Sequence, residues 1–208
     1  LDILIATILS QNTNDNLSLK AYNNLKTSVK KWEDILKFSE KKISKLIEVA
    51  GLNNQKSKTI KNLLTYLNKK YGKVDLGFLK KLSNEEIFSE LKKINGIGTK
   101  TISCLLLFGL KRNIFPVDTH IHRIMNRLGI VKTKNANDTF NFLKELIPNG
   151  KEYCLHVSLI QFGREVCKSN KPLCNYCHFI SYCDYKQKNI YSNYINIKRK
   201  NVIILNEI

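Results

Sequence analysis

Leu91-Lys92-Lys93-Ile94-Asn95-Gly96-Ile97-Gly98-Thr99-Lys100-Thr101 is the stretch that decides the fold. Apolar residues at helical spacing lead into it from residue 87 and resume over residues 102–107, so the two glycines form a tight turn joining two helices. Glycine permits positive backbone dihedrals and leaves amide N–H groups uncovered. A phosphate can therefore sit against Gly96, Gly98 and Thr99 and the start of the second helix. An isolated G-x-G also serves as an ordinary connection between helices, so the rest of the chain has to decide its use.

Working outward, helical spacing recurs over residues 3–9, 17–25, 43–49, 60–66, 121–128, 140–147 and 157–162, with no sustained period of two. Breaks fall at Gly51, Gly72, Gly129 and Pro148-Asn149-Gly150. Ser83-Asn84-Glu85-Glu86 spells a capping box. The pattern predicts an all-α protein with short connections. From Gln187 onward the Asn- and Lys-rich tail looks like an appendage, with a short strand expected at 202–205. The chain opens at Leu1 directly in a helix pattern, and further sequence is expected upstream of it.

The chain has 208 residues, with 35 Lys and Arg against 17 Asp and Glu, a formal charge of +18. Such a balance favours a polyanionic partner: nucleic acid first, an anionic membrane surface second. A biased codon composition would also produce it. Arg occurs only at 112, 123, 127, 164 and 199, so its planar fork is expected to matter where it persists. No run of 18 apolar residues and no secretory leader pattern occurs, which points to an intracellular protein with no membrane partner. In a reducing setting, clustered cysteines suggest a metal rather than disulfides.

Cys167, Cys174, Cys177 and Cys183 are spaced C-x6-C-x2-C-x5-C, close enough to surround one centre without a distant segment. Zinc accepts four thiolates, but its modules usually pair two short knuckles and only one is present. A [4Fe-4S] cluster also needs four thiolates and tolerates uneven spacing, which favours it over zinc while leaving both open. Cys104 and Cys154 lie inside apolar helix patterns and read as small core residues.

In Phe115-Pro116-Val117-Asp118-Thr119-His120, Asp118 stands at the N-cap of the helix carrying Ile121, Ile124 and Leu128. Capping alone would account for it. Reach allows more: the helix from 99 to 108 is ~15 Å long, and residues 109–116 can extend ~26 Å. Asp118 is therefore able to return towards Lys100.

Taken in this order, these features resemble endonuclease III and its relatives among the helix-hairpin-helix DNA glycosylases. The resemblance extends to Leu9-Ser10-Gln11-Asn12-Thr13-Asn14-Asp15, to Gly51-Leu52-Asn53-Asn54-Gln55-Lys56, and to His156 through Gly163-Arg164, most of the chain. It implies a two-domain helix-hairpin-helix glycosylase fold with double-stranded DNA bound across a cleft. Residues 1–112 would form the barrel-like helical domain with the hairpin at 91–101, and 113–208 the iron-sulfur domain with Asp118 at its start. The cysteine spacing matches the family's iron-sulfur pattern and so implies a [4Fe-4S] cofactor.

By the same match Lys100 falls on the catalytic lysine and Asp118 on the catalytic aspartate. The implied enzyme is a monomeric, bifunctional DNA glycosylase and abasic-site lyase acting on damaged pyrimidines, oxidised ones above all. Gln11 or Asn12 would fill the hole left by a flipped base, although both also suit a helix end. Lys168 and Lys171 would touch DNA phosphates, although lone lysines are commonly solvated. This chain departs from the family at Asn95, where Pro is frequent and where Asn tolerates unusual dihedrals. It also departs upstream of Leu1, where the family has a further helix. The rival functions are a mismatch- or adenine-specific monofunctional glycosylase, a non-catalytic iron-sulfur DNA-binding protein, and a zinc-binding nucleic-acid module. Lys100 argues against the adenine enzyme, and Lys100 with Asp118 against the non-catalytic protein.

Overall fold

The computed structural model describes residues 1–191, and the strand expected at 202–205 lies outside them. No strand occurs among the described residues, so the protein is helical there as its periodicity predicts. No helix among them is long and apolar enough to cross a membrane. The chain divides into two compact units, Leu1–Lys111 and, among the described residues, 112–191.

In the first unit, α1 (Asp2–Leu9) is buried almost all round, with Leu4, Ile5, Ile8 and Leu9 fully enclosed. A helix that is apolar on every side belongs at a centre. Around it pack α2 (Asp15–Thr27), α4 (Asn53–Tyr71) and α6 (Thr99–Cys104), with α3 (Glu40–Leu46) and α5 (Asn84–Leu91) outside them. The α5 start is the capping box read from the sequence: Glu86 N–H donates to Ser83 Oγ at 3.2 Å and Ser83 N–H to Glu86 Oε2 at 2.7 Å. Residues 102–107 are not one α-helix, because α6 passes into a π turn over Leu105–Gly109.

The second unit holds α7 (Thr119–Arg127), α8 (Ala136–Leu143), α9 (Glu152–Glu165) and a short α10 (Lys188–Tyr191). Phe115, Val117, Ile121, Met125, Val131, Leu143 and Ile160 form its core. One expectation needs correction here. Cys154 is exposed, unlike the buried Cys104, because α9 buries Glu152, His156, Ile160 and Gly163 and position 154 lies on the opposite side. In the described part of the tail expected from Gln187 onward, Lys188 Nζ donates to the carbonyls of Ile180, at 3.2 Å, and Cys183, docking α10 on the cysteine loop; the rest of that tail lies outside the described residues.

Candidate functional site

In the first unit the 91–101 stretch is the turn between α5 and α6. Of its residues only Gly96 has a left-handed backbone, φ 93°. Gly98 is extended (φ −99°, ψ 177°) and is the N-cap of α6, so it needs no glycine-only conformation. Asn95 has no positive φ either, so its tolerance of unusual dihedrals is not used. Gly96 is further required by closeness, since a Cβ there would stand 2.1 Å from Thr59 Oγ1 on α4. Nothing lies within 4 Å of where a Cβ on Gly98 would be. The exposed backbone at Gly96 and Gly98 and the first turn of α6, with no side-chain cap, offer amide donors at one place. Thr99 and Lys100 occupy that turn, each half-buried.

Gln11 joins this site directly. Its Nε2 donates to Thr101 Oγ1 at 3.2 Å, which ties the loop after α1 to the first turn of α6. Its neighbour Asn12 is exposed at φ 51°. A second left-handed position, Leu52 at φ 48°, precedes α4 and leaves an apolar side chain 49% exposed. Non-glycine residues there are uncommon, and a leucine is strained in that conformation. No local pattern in the sequence marks Leu52 as exposed.

The stem of each loop ends on the same cation. Lys56, 1% exposed, donates from Nζ to the carbonyls of Leu9 and Ala50, both at 2.8 Å. Burial lowers its pKa to about 8.

In the second unit Asp118 caps α7 as expected, its Oδ1 accepting from Ile121 N–H at 2.9 Å. The approach to it is fixed by buried His156, whose Nδ1 lies 2.9 Å from the Pro116 carbonyl oxygen. Burial lowers the pKa of His120, next but one to Asp118, while the Asp118 carboxylate acts in the opposite direction. Gly163 of α9 lets α7 come close, because a Cβ there would stand 2.8 Å from that of His120.

From the far end of α7 two arginines grip the cysteine loop. Arg123 donates from Nε to the Cys167 carbonyl at 2.9 Å and from Nη2 to the Gly163 carbonyl at 2.8 Å. Arg127 donates from Nη1 to the Lys168 carbonyl at 2.7 Å and to Cys167 Sγ at 3.4 Å, and from Nη2 to the Ser169 carbonyl at 3.1 Å. Its guanidinium lies 4.1 Å from the Tyr185 ring centre, and its carbonyl accepts from the Cys183 thiol at 3.2 Å. Lys168 and Lys171 are exposed, and Lys171 has φ 48°.

Cys174 is buried, and Cys167, Cys177 and Cys183 are half-buried. Burial and the three neighbouring thiols push the Cys174 thiol up, and burial does the same to Cys177. Four thiols thus crowd one place where their thiolates need a cationic centre. Among the described residues no three His, Cys, Asp or Glu close on a single-ion position. Four thiolates are the donor set that a [4Fe-4S] cluster takes.

Comparison with known proteins gives concordant matches. The model of the HhH-GPD superfamily base excision DNA repair protein matches residues 5–149. A protein of Arabidopsis thaliana named for DNA glycosylase activity is 40% identical over 173 residues, covering 82% of this chain and 59% of the relative's own length. Endonuclease III of Thermotoga maritima is 34% identical over 186 residues, 89% of this chain and 83% of the relative. Among solved structures, a trapped covalent endonuclease III–DNA intermediate superposes with a TM-score of 0.79 at 26% identity, over 90% of this chain and 84% of that one.

Proposed function

For a chain that belongs to the endonuclease III family of base excision DNA repair glycosylases, within the HhH-GPD superfamily, we propose a bifunctional enzyme that removes oxidised pyrimidines and then nicks the strand. The observation that carries this reading is Lys100, a half-buried amine one residue into the helix that follows the hairpin, beside the Gln11–Thr101 contact. Phosphate binding by amides requires no amine there, whereas covalent catalysis does.

The hairpin amides hold a phosphate of the damaged strand, and the target nucleotide leaves the stack because its glycosidic carbon is otherwise shielded. Asn12 and Leu52 enter the space it vacates, the first meeting the orphaned base and the second wedging apart the neighbouring pair. Lys100 Nζ, as the neutral amine, forms a bond to C1′. The glycosidic C–N bond breaks and the base departs with the electron pair, taking up a proton. The Asp118 carboxylate stabilises positive charge developing on the sugar. Ring opening gives a Schiff base between Lys100 and C1′. Loss of a C2′ proton and cleavage of the C3′–O bond expel the phosphate, and water then hydrolyses the imine to free Lys100.

Exposed Lys168 and Lys171 sit on the loop that Arg127 holds by its carbonyls, suiting them to more distant phosphates. An iron-sulfur centre is typical of the family. Cys167, Cys174, Cys177 and Cys183 would hold a [4Fe-4S] cluster, which would supply a crosslink that shapes this loop. The resulting enzyme acts as a monomer on damaged duplex DNA.

Product analysis on duplexes carrying an oxidised pyrimidine, an abasic site or a mismatched thymine tests the assignment. Base loss with a strand nick on the first and a nick on the second support it. Base loss from the mismatch without any nick would replace it by a monofunctional mismatch enzyme.

A further inference from the structure

A lysine with 1% exposure and, among the described residues, no carboxylate in ion-pair contact is an unusual interior group. Lys56 is such a residue, and burial lowers its pKa to about 8. A buried cation costs stability unless other groups answer it. Two carbonyls do so, and both close helices: Leu9 is the last residue of α1 and Ala50 the last of a 3₁₀ turn, Glu48–Ala50. The negative ends of helices favour a cation. A neutral side chain of similar size would fill the space without that cost, so the ammonium is retained for what it joins.

What it joins are the two stems from which Asn12 and Leu52 project. Three residues past Leu9 the chain reaches Asn12 at φ 51°, and two past Ala50 it reaches Leu52 at φ 48°. Lys56 reaches Leu9 across 47 positions of sequence, a bond no local structure would supply. Gln11, between Leu9 and Asn12, is in turn bonded to Thr101 beside Lys100. We propose that Lys56 is a positioning residue that fixes the separation of the 10–14 loop and the 51–52 turn, so that Asn12 and Leu52 enter the duplex as one rigid wedge. This inference rests on the base-flipping reading above.

The test compares borohydride trapping on two abasic substrates, one duplex and one single-stranded. Only the duplex leaves a hole to be filled when the nucleotide is extruded. Lys56→Met, measured well below its melting temperature, is expected to lose on the order of tenfold or more in trapping rate on the duplex. On the single strand it should stay within about twofold of the parent. Leu52→Ala should show the same duplex-only loss, and the double variant should be little worse than either single one, because the two act through one element. Equal losses on both substrates, or no loss on either, would overturn the inference. Where Lys56→Met does not fold, Lys56→Gln, which keeps an N–H donor for one carbonyl, is read in its place. Failure of that variant to fold would make Lys56 a residue of the core alone and refute the positioning role. Absence of trapping by the parent on both substrates would instead bring down the glycosylase–lyase reading, and this inference with it.

Discussion

At the scale of single residues, Asp118 separates the two halves of the proposed reaction. It caps α7 through Ile121 N–H, and an asparagine caps as well as an aspartate, so Asp118→Asn should keep the fold and DNA binding. Removal of an intact base should fall about a hundredfold or more, because only that step must build charge on the sugar. Cleavage of a preformed abasic site should persist. Equal losses in the two assays would remove Asp118 from the glycosidic step. This residue was legible in the sequence because capping is a local matter. Arg127 and Lys56 were not, since the Cys167–Ser169 atoms that the Arg127 guanidinium holds and the Leu9 carbonyl that Lys56 reaches lie 40 to 47 positions away, and only packing brings them together. Cys154 was misplaced because a mostly apolar helix does not declare which side it buries.

At the scale of elements, the hairpin depends on Gly96 in two separable ways. Gly96→Ala puts a side chain at φ 93° and into Thr59, and should lower stability by on the order of 1–3 kcal/mol. Thr59→Ala in the same chain should restore only the share due to crowding, and complete recovery in a thermal melt would deny the backbone strain. The turn was evident from G-x-G alone, but which glycine needed to be glycine was not, because that depends on α4 standing beside it. The cysteine loop makes a parallel case. Its spacing raised the expectation of a metal centre, while the arginine grip from α7 came only with the fold. Protein purified without air should be brown and contain iron and sulfide, and Cys174→Ala should lower folded yield more than specific activity. Stoichiometric zinc without visible absorbance would contradict the cluster.

At the scale of the whole molecule, a formal charge of +18 predicts strong salt dependence on duplex DNA. The slope of log K against log salt should be about −0.9 for each phosphate contacted, and neutralising Lys168 and Lys171 together should make it shallower by roughly two contacts. An unchanged slope would place that loop off the DNA. The expected site residues came from the resemblance to a family, whereas helical class and the caps at Ser83 and Asp118 were available from periodicity and spacing. The pairing of Gln11 with Thr101 and the two left-handed residues at Asn12 and Leu52 were not, because they arise where separate helices end against one another.

The central claim is that Lys100 is the nucleophile, and borohydride reduction of the complex with abasic duplex DNA tests it most directly. The parent protein should yield a covalent protein–DNA adduct, and Lys100→Gln should yield none while binding the same DNA nearly as tightly. A covalent adduct persisting in Lys100→Gln would mean that another amine attacks the sugar, and the assignment of the site would be wrong.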